Sequence, residues 1–199
     1  MQSTVNDIEK SIVIKRRGRI YFAADFVSFG NPETVKKSLF RLEKSGFLVR
    51  LAHGIYLFPK IDKKLGLGVL YPSVEEIAKA IAERDKARIV PTGIYALNAL
   101  GLSTQIPVNA VFLTDGAPRK IKIYNQRILF KHVVPKNLAY KSDVLMLVVS
   151  ALKELGNEKA TDEDLAKIKL ALSHDTKENI LADLKLAPAW IRRIIMPLI

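Results

Sequence analysis

NPETVKKSLFRLEKSGFLVRLAHGIYLFPK, residues 31–60, decides the fold. Asn31 can cap a helix through its side-chain oxygen, and Pro32 can open it because the first helical N–H needs no intrahelical partner. Val35, Leu39 and Leu42 recur at helical spacing, and Gly46 supplies the stop expected just past the last turn, so the pattern predicts a helix over 32–45. Residues 47–51 and 55–58 are β-type runs. Ala52, His53 and Gly54 join them in a loop of hairpin length that contains glycine.

Upstream, Val5, Ile8 and Ile12 share one helical face, until Arg16, Arg17, Gly18 and Arg19 break the pattern. Residues 20–22 offer a short strand and 23–29 a short second helix. Helix, strand, helix, capped helix and hairpin within about sixty residues is the layout of a winged helix-turn-helix. It is expected over residues 1–64. Residues 59–68, with Lys60, Lys63, Lys64 and two glycines, read as a linker.

Residues 65–199 mix helices with strands, so the fold class is α+β: an N-terminal winged helix-turn-helix followed by a mixed α+β domain. Ser73-Val74-Glu75-Glu76 is a capping box, in which serine and glutamate satisfy reciprocal backbone donors. A strand at 89–90 leads to a helix over about 92–100, and further strands are expected near 111–114, 120–123 and 128–131. Helices follow over 143–155 (ended by Gly156), 162–172 (capped by Thr161) and 177–184, with a final apolar segment around Trp190.

Of the 199 residues, 32 are Lys or Arg and 20 Asp or Glu, a net charge of +12 that favours a polyanionic partner. The excess is uneven, because residues 1–64 hold 13 cations against 6 anions, a net +7. Cysteine is absent, which excludes disulfides, thiolate nucleophiles and cysteine zinc sites. His53, His132 and His174 stand in separate segments without ligand spacing, so neither a metal nor a cofactor is expected. The opening residues, MQSTVNDIEKSIVIKRRGR, lack the pattern of a secretory signal, and the apolar run 144–149 is too short to span a bilayer of about 20 residues. A cytoplasmic protein with no membrane association is expected.

On the capped helix Thr34, Lys37, Ser38 and Arg41 fall at i, i+3, i+4 and i+7, a polar and partly basic face opposite Val35, Leu39 and Leu42. A major groove about 12 Å wide accepts such a helix, and Lys or Arg can bond a guanine edge there. Arg16, Arg17 and Arg19 before it, and Arg50, His53 and Lys60 around the hairpin, add charge for phosphates. Double-stranded DNA is the expected partner, which requires that the 34–41 segment face solvent. In the second part Arg119, Lys120 and Lys122 form a further candidate contact on one loop and strand. Asp115 near these lysines, with Glu75 or Glu76, invites comparison with a metal-dependent nuclease, but no Asp-X-Lys or Glu-X-Lys follows, and Asp115-Gly116-Ala117-Pro118 suits a turn. No phosphate-binding glycine motif or Gly-X-Ser-X-Gly elbow is present, and no enzymatic activity is expected.

Residues 31–60 resemble the winged-helix opening of the AbiEi-type antitoxins of type IV toxin-antitoxin, or abortive-infection, operons. VPTGIYALNALGLSTQIP (90–107) and AVFLTDGAPRKIKI (110–123) look like the second domain of the same group. The resemblance implies an antitoxin and transcriptional autorepressor that binds operator repeats through residues 1–64. It also implies a second domain that counteracts a nucleotidyltransferase-like toxin, with or without direct contact. The alternative is a stand-alone winged-helix regulator whose second domain binds a ligand or partner.

Overall fold

The computed structural model describes residues 2–105, 107–123, 125–157 and 159–199, without the side chains of residues 2, 3, 136 and 137. Ile106 of the GLSTQIP segment therefore lies outside the described residues. The chain is a mixed α+β protein that divides into two compact units, residues 1–80 and 81–199. The division falls within a helix, α3 (Val74–Asp85), whose Ser73–Glu76 capping box forms as expected: Ser73 N–H donates to Glu76 and Glu76 N–H to the serine hydroxyl.

In the first unit α1 (Gln2–Val13) is followed by β1 (Ile20–Phe22), a 3₁₀ segment (Ala23–Phe29) and α2 (Pro32–Lys44). Two strands, β2 (Val49–Ala52) and β3 (Ile55–Leu57), come next. Asn31 Oδ1 accepts from Thr34 N–H at 2.9 Å, which fixes where α2 begins. At the other end Gly46 takes a φ of +75°, a left-handed conformation that lets Leu48 N–H reach back to the Leu42 carbonyl. The three strands form an antiparallel sheet in the order β1-β3-β2. Ile8, Ile12, Phe26, Val35, Leu39, Leu42, Leu48 and Phe58 close one core between sheet and helices.

The expected linker is instead structured. Strand β4 (Lys60–Asp62) pairs antiparallel with β5 (Gly68–Leu70). Between them the Asp62 carboxylate accepts from Leu65 N–H at 2.8 Å, so charge and glycine here mark a turn rather than a flexible tether.

The second unit carries β6 (Ile89–Thr92), α4 (Ile94–Ala99), β7 (Asn109–Thr114), β8 (Arg119–Ile123) and β9 (Gln126–His132). Four helices follow: α5 (Asp143–Leu155), α6 (Asp162–Leu172), α7 (Lys177–Leu184) and α8 (Ala189–Ile195). The sheet order is β6-β7-β9-β8, with β7 and β9 parallel and the other pairs antiparallel. The two outer strands are β6, which contains Pro91, and β8, with Lys120 and Lys122. The helices bury Leu145, Val148, Leu152, Ile168, Leu172, Ile191 and Ile195 in one cluster that also takes in Val90 of β6. Arg88 ties this unit together: its guanidinium donates to the carbonyls of Leu138 and Tyr140 and to Asp143, while its backbone N–H donates to Asp115. Asp183, buried, accepts from the N–H groups of Lys141 and Ser142 at the start of α5.

Among the described residues no helix is long and apolar enough to cross a membrane.

Candidate nucleic-acid interface

Helix α2 has two faces because its apolar residues return every three or four positions. Val35, Leu39 and Leu42 are buried, whereas Lys36, Lys37, Phe40, Arg41 and Lys44 stand in solvent and Thr34 is half-buried. The 34–41 segment thus presents its cations outward, as expected. Ser38 does not belong to that face: it is only 2% exposed, and its hydroxyl donates to the Thr34 carbonyl at 2.8 Å. At about 100° per residue Ser38 lies only about 40° from Leu42, and a small side chain there turns back onto its own helix. The residue is a structural part of α2, and the sequence-based assignment to the reading face is corrected.

Three cations of α2, Lys36, Lys37 and Arg41, line one cleft of about 810 Å³ together with Arg50 and His53 of the β2–β3 hairpin. A bulge between Arg50 and Ala52 sets this arrangement, giving the buried Leu51 an extra place in the strand while Arg50 stays in solvent. Arg50 then meets the His53 ring, Nη2 to Nδ1, at 3.2 Å. Gly54 closes the hairpin with a φ of +70°. Tyr56 also lines the cleft, and burial pushes its phenol above the ordinary value against the opposing pull of Arg50, so it remains a neutral hydroxyl at physiological pH.

The remaining basic residues are held differently. Arg17 lies over the Phe58 ring at 4.6 Å and donates to the Pro59 carbonyl, and Arg19 lies over Tyr21 at 5.7 Å. Arg16 is exposed beside them, and Lys60 is exposed at the start of β4. None of these four, nor Thr34, lines the cleft. Lys36 meets Glu33 at 3.8 Å on an exposed surface, a weak pair, whereas Lys37 and Arg41 have no ion-pair partner among the described residues.

Phe40 and Lys44 were not singled out from sequence. Phe40 is 53% exposed in the middle of the solvent face, with Lys44 Nζ 5.6 Å from its ring centre. The signal was present, since Phe40 falls on the side of the helix opposite Val35, Leu39 and Leu42, where an aromatic serves no core.

In the second unit Lys120 and Lys122 stand exposed on the same side of β8, opposite Leu129 and Arg127 of β9. Arg119 points to the other side and binds Asp85 at 2.5 Å, so it is committed to an internal ion pair and does not extend the patch. Asp115 is occupied by Arg88 N–H. No group of three His, Asp or Glu residues suited to a metal ion occurs among the described residues.

Fold and surface together define an α+β protein whose N-terminal unit gathers cations from a helix and a neighbouring hairpin into one cleft. The chain belongs to a family of unknown function, DUF6088, whose model matches residues 7–180. Comparison with curated proteins gives no match.

Proposed function

We propose that the first unit is a winged helix-turn-helix that docks on double-stranded DNA, with α2 in the major groove and the β2–β3 hairpin as its wing. The observation that carries this reading is the shared cleft in which Lys37 and Arg41 of α2 face Arg50 and the His53 ring of the hairpin, three cations and an imidazole from two elements positioned to bracket a polyanion. Element order supports it too: helix, strand, short helix, capped helix and antiparallel hairpin follow in the sequence such readers use. Arg16, Arg17, Arg19 and Lys60 add positive charge outside the cleft, and Lys120 with Lys122 offers a second contact from the other unit.

The resemblance of residues 31–60, 90–107 and 110–123 to AbiEi-type antitoxins supports a biological role as antitoxin and autorepressor of a type IV toxin-antitoxin operon in the cytoplasm. Its functional counterpart is a nucleotidyltransferase-like toxin. Two readouts test the two layers. Repression of a reporter driven by the protein's own promoter should disappear in a Lys37→Ala/Arg41→Ala variant. Co-expression with a toxin encoded next to it should restore growth in wild type and variant alike. Undiminished repression by the variant removes the DNA assignment, and absence of rescue by wild type removes the antitoxin role.

A further inference from the structure

Directly opposite the buried stripe of α2 runs a ridge at i, i+4, i+7 and i+11: Glu33, Lys37, Phe40 and Lys44, all but Phe40 charged. The aromatic is 53% exposed, is not a member of the core cluster of its own unit among the described residues, and lines the cleft together with another open apolar side chain, Val27, at 69% exposure. Water contact with so much apolar surface is unfavourable, and a face otherwise composed of charge gains no solubility from it. A basic ridge with one apolar tooth matches one feature of the major groove: the 5-methyl of thymine, the apolar group on a base edge there, which a Phe side chain can cover.

We propose that Phe40 is a specificity-determining residue that reads a thymine methyl. This rests on the assignment of α2 to the major groove and deepens it by naming a base. Lys37 and Phe40, three residues apart, are separated by about 5–6 Å. Base pairs rise by about 3.4 Å. The thymine therefore lies one to two base pairs from the position Lys37 contacts. The cations supply affinity for any duplex, and Phe40 supplies a preference among them.

The test is selection from duplexes with a randomised core by the full chain, in wild-type, Phe40→Leu and Phe40→Ala forms. Because the ring is exposed, all three fold, which their unfolding temperatures verify. Wild type enriches a sequence with a fixed thymine; Phe40→Leu keeps it weakly and Phe40→Ala loses it. Replacing that thymine by deoxyuridine, which removes only the methyl, weakens wild-type binding about fourfold, the worth of one buried methyl, and leaves Phe40→Ala unaffected. Retention of duplex with no fixed thymine, or equal loss on deoxyuridine in both proteins, overturns the role of Phe40 and leaves α2 a DNA-binding helix. Failure to retain any duplex overturns both.

Discussion

The two units hold several of their basic residues differently, although Lys120 and Lys122 of the second stand in solvent as Lys37 and Arg41 of the first do. In residues 81–199 Arg88 and Arg119 are turned inward onto carbonyls and carboxylates, and Asp183 is buried on the backbone of α5. In residues 1–80 Lys37 and Arg41 lie in solvent with no ion-pair partner among the described residues, and Arg17 and Arg19 rest on aromatic faces. A cation whose partner belongs to its own fold contributes to stability; one left open is available to a ligand. Sequence composition counts both alike, and only the contacts separate them.

That contrast can be broken at its strongest point first. Asp183→Ala leaves two N–H groups without their acceptor, and should lower the unfolding free energy of the second unit by about 2–4 kcal/mol in denaturant titration. A change under about 0.5 kcal/mol would mean that the buried carboxylate organises nothing. On the other unit Lys37→Ala and Arg41→Ala should each weaken duplex binding by about 1–3 kcal/mol, measured by fluorescence anisotropy, yet alter stability by less than about 0.5 kcal/mol. If stability falls and binding does not, these two residues belong with the inward-turned class.

A smaller effect concerns Tyr21, whose buried hydroxyl has no hydrogen-bond partner among the described residues while its ring stacks on Phe26. Tyr21→Phe keeps the stacking and removes the stranded oxygen, so the first unit should gain about 1 kcal/mol. A lower melting temperature would show that the hydroxyl is satisfied in solution.

The smallest effect is pH-linked. Asp175 is held below its ordinary value of 3.8, first by the Ser142 hydroxyl, then by the Asn179 side chain and Thr176 N–H. Its folded-state pKa is depressed, so its stabilisation is complete above the unfolded value and is lost as pH falls through the folded one. Asp175→Asn should therefore narrow the gap between melting temperatures at neutral and strongly acidic pH. An unchanged gap would exclude Asp175 from acid sensitivity.

What sequence revealed follows the same division between local and distant forces. The limits of α5, α6 and α7 coincide with those expected from Gly156, Thr161 and the apolar spacing, because helix ends are set by residues within one turn. The β4–β5 ribbon was missed because Lys63, Lys64 and two glycines look like a tether, and the Asp62 turn that organises them is a hydrogen bond rather than a composition. The insertion of β9 between β7 and β8 was equally hidden: alternation fixes which side a residue faces but not which strand it meets. Charge and helical phase were enough to put Lys37 and Arg41 on the solvent side of α2. They misplaced Ser38, whose position at the border of the buried arc is decided by a bond to its own backbone.

The outer strands of the four-stranded sheet carry one last consequence. A free strand margin is a template on which a second chain can add, and β6 interrupts its donors with Pro91 while β8 places Lys120 and Lys122 along the opposite margin. Strand addition is thereby discouraged at both margins of this sheet, which gives Pro91, Lys120 and Lys122 a reason to stand where they do whatever the protein binds.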